Sequence, residues 1–170
     1  MAYDAFISYS HAADGRLAPA LQSGLQHLAK PWYRLRALRV FRDETSLSTN
    51  PQLWSSIEAA LDESERFVLL ASPDAAASPW VDKEIAHWLA TKPADRILPV
   101  LTSGEWEWDS TAGRLVGDAV PERLAAALVE EPRHLDLRWA AAETDLDLRN
   151  SGFRSAVADL AAPYGSRALP

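Results

Sequence analysis

Short apolar, β-prone runs alternate with helix-periodic stripes along this chain, and that alternation leaves few folds open. The run YDAFIS (3–8) is followed by a polar turn, YSHAADG, and then by leucines at 17, 21, 25 and 28, one helical stripe that ends before Pro31. LRALRVF (35–41) reads as a second strand. The polar loop RDETSLSTNP separates it from a helix carrying Leu53, Ile57 and Leu61 on one side. RFVLLA (66–71) is continuously apolar, as in a strand buried on both faces. RILPVLT (96–102) is a fourth strand, whose Pro99 predicts an interruption or a place near an edge. After it, SGEWEWDSTAGRLVGDAV has no clear period, and its Trp106 and Trp108 read as a strand-like flap over the sheet, with a contact for a partner domain as the alternative. PERLAAAL is a short helix, RHLDLRW (133–139) a fifth strand and NSGFRSAVADLAAPYG (150–165) a closing helix.

Strands that alternate with helices form a parallel sheet covered on both faces, joined by right-handed crossovers. The expected fold is therefore α/β, a flavodoxin-like three-layer arrangement with a five-stranded parallel sheet in the order 2-1-3-4-5. At 170 residues the chain suits one core. Residues 1–165 are expected to form a single domain, with a core over 1–135, an extension over 133–165, and a frayed end at 166–170 cut from a longer chain. In such a sheet the ligand crevice lies beyond the carboxyl ends of strands one and three, where the strand order reverses. Strand one ends at SYSH and strand three at ASPDAAASPW.

The helix after strand three opens with SPWVDKEIAHW (78–88). Ser78 can cap its first turn and Pro79 suits the first helical position. Val81, Ile85, Trp88 and Leu89 cluster on one face. Glu84 falls about 85° from the centre of that cluster, on the same side as Trp80. The spacing predicts a carboxylate on the shoulder of the buried face, neither inside nor outside, forming the wall of the crevice with an indole beside it.

Composition narrows the chemistry. There are no cysteines, which excludes disulfides, thiolate metal sites and cysteine nucleophiles. The net charge of −7 argues against a general nucleic-acid binder. No basic, apolar leader opens the chain, and no stretch approaches the roughly 20 apolar residues of a membrane span. These features predict a cytoplasmic domain with no membrane contact. Neither G-x-x-x-x-G-K-[ST] nor G-x-G-x-x-G occurs, no G-x-S-x-G elbow occurs, and histidines 11, 27, 87 and 134 show no zinc-ligand grouping. No metal and no cofactor are expected.

One carboxylate among hydroxyls and aromatics is then the available equipment. Ordinary glycosides need an acid as well as a nucleophile or base. A glycosidic bond to a pyridinium is different, because nicotinamide departs neutral. A single anionic glutamate beside a dry aromatic wall suffices to stabilise the oxocarbenium-like cation left behind, so the equipment is enough for this reaction, although composition does not single it out.

YDAFISYSH, FRDETSLS and SPWVDKEI, in that order, resemble the bacterial branch of the Toll/interleukin receptor (TIR) domain family over roughly residues 1 to 135. The resemblance implies a flavodoxin-like fold and cleavage of NAD+, as substrate, to nicotinamide plus ADP-ribose or a cyclic isomer. It implies that Glu84 of the W-x-x-x-E pattern is catalytic, with Trp80 beside it. The loop holding Asp43, Glu44, Thr45, Ser46 and Leu47 is the family's mobile loop, which covers the site and takes part in packing between domains. Members often carry a glycine near its tip, where this chain has Leu47, Ser48 and Thr49. The resemblance further implies homotypic assembly with other TIR domains and additional domains in the natural chain. A second possibility is a non-catalytic scaffold that only binds other TIR domains.

Around Glu84, the candidate substrate contacts are Ser8, Tyr9, Ser10 and His11, where hydroxyls could meet ribose or phosphate and a ring could pack on a base. The alternative is a strand end with a capping turn. Arg42, at the mouth of the loop, has the guanidinium fork that suits a dinucleotide phosphate. Blunting of an edge strand by charge explains the arginines at 34, 36, 39 and 42 equally well. For Trp80, packing beneath the helix is the competing role.

Overall fold

The computed structural model describes residues 2–28, 39–42 and 51–165. Among these, β1 (Tyr3–Ser8), β2 (Val40–Arg42), β3 (Ser64–Ala71) and β4 (Ile97–Leu101) pair in parallel with one another and with β7 (Leu135–Asp136). Between β4 and β7, β5 (Glu107–Asp109) and β6 (Arg114–Val116) form a separate antiparallel hairpin. The main sheet runs β2-β1-β3-β4-β7, which is the expected order with β7 as its fifth strand. That strand is shorter than RHLDLRW predicts, because only Leu135 and Asp136 pair with β4. The described part of the second strand is Val40–Arg42, so the rest of LRALRVF lies outside the described residues.

Side-chain alternation splits the core in two, as the pleat of a strand requires. Ala5, Ile7, Val68, Leu70 and Val100 face α2 (Leu17–Leu28) and α7 (Ser151–Gly165). Phe6, Phe67, Leu69, Ile97 and Leu101 face α3 (Pro51–Asp62), α5 (Pro79–Thr91) and α6 (Glu122–Ala127). Each of these side chains is buried, and full burial of one large apolar side chain is worth about 1.5–3 kcal/mol. The helices α2 and α7 approach closely over Gly24, where a Cβ would stand 3.0 Å from Val157 Cγ2.

Two local expectations change. The turn YSHAADG contains a one-turn helix, α1 (His11–Asp14), and SPDAAASP contains α4 (Pro73–Ala77), each capped by a serine hydroxyl, Ser10 and Ser72. Pro99 lies near an edge of the sheet, as expected, in the strand beside the terminal β7. Thr102 N–H bonds to Ala71 O on the β3 side and Leu101 O accepts from Leu137 on the other, so the nitrogen of Pro99 faces the β7 side. There β7 pairs only with Val100 and Leu101, and the missing donor forfeits no bond to β3. The aromatic segment is the expected flap: Trp106 and Leu115 of the hairpin region are buried against the second core.

No helix among the described residues is long and apolar enough to cross a membrane.

Candidate active site

Glu84 is buried, 1% exposed, and not on a shoulder of the helix as its angular position predicts. Ser78 accepts the Val81 N–H at 3.3 Å and Pro79 begins α5, so the helix starts just past the carboxyl end of β3. Its second turn then meets the end of β1, the strand beside β3. Ser8, fully buried there, donates to Glu84 Oε1 at 2.7 Å. The helical pattern ranks Glu84 against its own neighbours only. What encloses it is the tip of another strand, whose hydroxyl offsets part of the cost of burying a carboxylate.

Trp80, half-buried, meets Trp54 of α3 edge to face with ring centres 5.5 Å apart. The Lys83 ammonium stands 4.1 Å from the Trp54 ring centre and 5.4 Å from that of Trp80. Trp54 is a neighbour the sequence reading does not find. Its position beside the Leu53–Ile57–Leu61 stripe places it at the margin of the helix face that packs on α5.

The residues of SYSH and Arg42 divide across the sheet. Ser8 points with Phe6 toward α5, whereas Tyr9 points with Ile7 toward α2. The Tyr9 ring stacks on His11, 4.5 Å between centres. Arg42 donates from Nη1 to Tyr9 Oη and from Nε to Gln22 Oε1, both at 3.0 Å, and Gln22 Nε2 donates to Val40 O. Ser10 accepts the Ala13 N–H at 3.4 Å and so caps α1. Both groups lie at the carboxyl edge of β1, on opposite faces of it. Asp43, Glu44, Thr45, Ser46 and Leu47 lie outside the described residues.

A second buried acid occurs at the same edge and was not anticipated. Asp14, 6% exposed, has its Oδ2 at 2.9 Å from Thr102 Oγ1. Burial pushes its carboxyl up to about 6; the Thr102 hydrogen bond opposes this and the charge of Asp74 adds to it. Nothing in the pattern of AAD marks it, because its burial depends on the one-turn helix crossing toward the end of β4.

Comparisons with known proteins bear on the family and the fold. The TIR domain family profile matches residues 5–128. Over 165 residues the chain is 64% identical to the NAD(+) hydrolase ApTIR of Actinoplanes sp., covering 95% of this chain. The chain spans 23% of that protein's length. Among solved structures, the TIR domain of the Toll-related receptor TRR-2 from Hydra magnipapillata superposes with a TM-score of 0.54 at 20% identity, over 93% of this chain and 98% of that one. The TIR domains of the activated Roq1 resistosome superpose with a TM-score of 0.55 at 18% identity, over 95% and 99% of the two chains. At these identities the two structures speak to the fold alone.

Proposed function

This chain belongs to the TIR domain family, and from that premise we propose that it cleaves the bond between nicotinamide and ribose in NAD+. The observation that carries the reading is the buried Ser8–Glu84 pair at the point where the strand order reverses, the place where sheets of this kind bind ligands. The 64% identity to a protein named an NAD(+) hydrolase supports it.

In this reading the carbon–nitrogen bond breaks heterolytically and its electron pair passes to the pyridinium nitrogen. Nicotinamide leaves neutral, so no acid is needed. The ribosyl cation left at the anomeric carbon is stabilised by the Glu84 carboxylate, which the Ser8 hydroxyl orients. Water adds to that carbon and loses a proton, giving ADP-ribose. Capture by a nucleophile within the same molecule gives a cyclic isomer instead. Trp80, backed by Trp54, keeps bulk water from one side of Glu84. Arg42, steadied by Tyr9 and Gln22, takes a phosphate of the dinucleotide, and Tyr9, Ser10 and His11 line the approach. Activity rises with self-association of neighbouring copies, as the family resemblance implies. Residues 1–165 act as one TIR domain, cytoplasmic and attached to further domains.

The test is nicotinamide release by chromatography from concentrated protein, wild type against Glu84→Gln. Product from the wild type alone is expected. Equal rates from the two proteins would overturn the assignment of Glu84. No product from either, alongside assembly, would favour the scaffold.

A further inference from the structure

Three oxygens run in a line at the carboxyl edge of the sheet. Asp14 Oδ2 lies 2.9 Å from Thr102 Oγ1, which lies 3.1 Å from Ala71 O. A threonine hydroxyl has one proton to give. If Asp14 were ionised, that proton could serve the carboxylate or the carbonyl, and the other pair would be two acceptors facing each other. With a proton on Asp14, both gaps are filled: Asp14 donates to Thr102 Oγ1, and Thr102 donates to Ala71 O. The carbonyl can accept this second bond beside the one from Thr102 N–H at 2.9 Å, since it has two lone pairs.

We propose that Asp14 is held as a neutral carboxylic acid that clasps α1 to the end of β4 and thereby positions Ser10 and His11. The residue ties α1 at both ends of its single turn. Its backbone N–H closes the turn on Ser10 O at 2.8 Å, and its side chain crosses to Thr102 on the other side of β3. The surroundings favour the neutral form. Asp74 of α4 presents a like charge, and the strand ends bring Ala71, Ser72 and Thr102, all uncharged. Arg16 turns away to Ala141 O at 3.5 Å, and His11, on the same short helix, stacks on Tyr9. The raised carboxyl value of about 6 agrees with this arrangement. Because the folded value lies above the ordinary 3.8, the clasp is fully made below about pH 3.8 and is lost as pH rises through about 6. The loop bearing Ser10 and His11 is therefore tight in acid and freer at neutral pH.

The positioning half of this inference rests on the NAD+ reading, whereas the clasp itself does not. Infrared spectroscopy at pH 5, wild type minus Asp14→Asn, should show one buried carboxylic-acid carbonyl band that the wild type loses on titration through about 6. No such difference band would overturn the clasp. The melting temperature should fall as pH rises through the same range in the wild type and stay flatter in Asp14→Asn. Parallel slopes would also overturn it. Thr102→Val, close in shape and lacking the hydroxyl, serves if Asp14→Asn does not fold. At pH 5, where the clasp is made, it should raise KM for NAD+ about fivefold, the restraint of roughly one hydrogen bond, with a smaller change in kcat. An unchanged KM would overturn the positioning role. Absence of nicotinamide from the wild type would sink the NAD+ reading and leave the infrared result intact.

Discussion

The hydroxyl of Ser8 lies 2.7 Å from a carboxylate oxygen of Glu84, a residue 76 positions further along the chain. The contact joins the end of β1 to the second turn of α5, and both partners are enclosed. An enclosed carboxylate is held by few groups, so each of them matters. Ser8→Ala should reduce kcat for NAD+ cleavage about tenfold with little change in KM, because it leaves Glu84 in place but unaligned. Glu84→Gln should reduce kcat by about 100-fold or more, as removal of an electrostatic stabiliser does. Steady-state nicotinamide release measures both, and a Ser8→Ala enzyme with unchanged kcat would separate the serine from catalysis.

Arg42 should act on binding. Its guanidinium is steadied by two neutral acceptors, Gln22 Oε1 and Tyr9 Oη. Arg42→Ala should raise KM for NAD+ about tenfold or more, the worth of a charge-assisted hydrogen bond. Gln22→Leu should move KM the same way by less, and Arg34→Ala should leave it alone. Equal effects of Arg34→Ala and Arg42→Ala would argue for a general attraction of the arginines in place of one site.

The closing helix is part of the fold's stability. Phe153 and Val157 are fully buried against α2 over Gly24. Phe153→Ala should cost about 3–5 kcal/mol in urea unfolding. Gly24→Val should destabilise as well, since its side chain would overlap Val157. A loss under about 1 kcal/mol for Phe153→Ala would mean that α7 adds little to the core.

Arg123 donates twice to Asp82 and holds that carboxyl below its ordinary value. A depressed carboxyl adds stability above the unfolded value of 3.8 and loses it as pH falls through the folded one. Arg123→Ala should therefore lower the melting temperature at pH 7 and have no effect near pH 2. Both groups are half in water, so the difference is small. The same loss at both pH values would point to packing by the arginine stem instead.

The order of the sheet was legible because each apolar run was long enough to be a strand and each stripe long enough to be a helix. The family motifs marked Glu84 and Trp80, and angular spacing put both near one crevice. That spacing missed the depth of Glu84, since a helical wheel contains no other element, and Ser8 is what closes over it. Trp54 and Asp14 escaped for the same reason: each acquires its surroundings from residues brought close only by folding. Tyr9 and Arg42 were grouped with Glu84 from their position at the strand ends, but the alternation along β1 carries Tyr9 to the opposite face, where Arg42, in register with Ile7 on β2, and His11 meet it.

That pleat has a further consequence for β1. Adjacent positions on one strand serve two different chambers, a hydroxyl in one and a phenol in the other. A residue deleted anywhere in YDAFIS would shift them by one place, seating the Tyr9 ring against Glu84 and the Ser10 hydroxyl against Arg42. The strand is locked on both flanks by its ladders to β2 and β3, so its reading frame is fixed twice over. Length, more than composition, is what this segment cannot change.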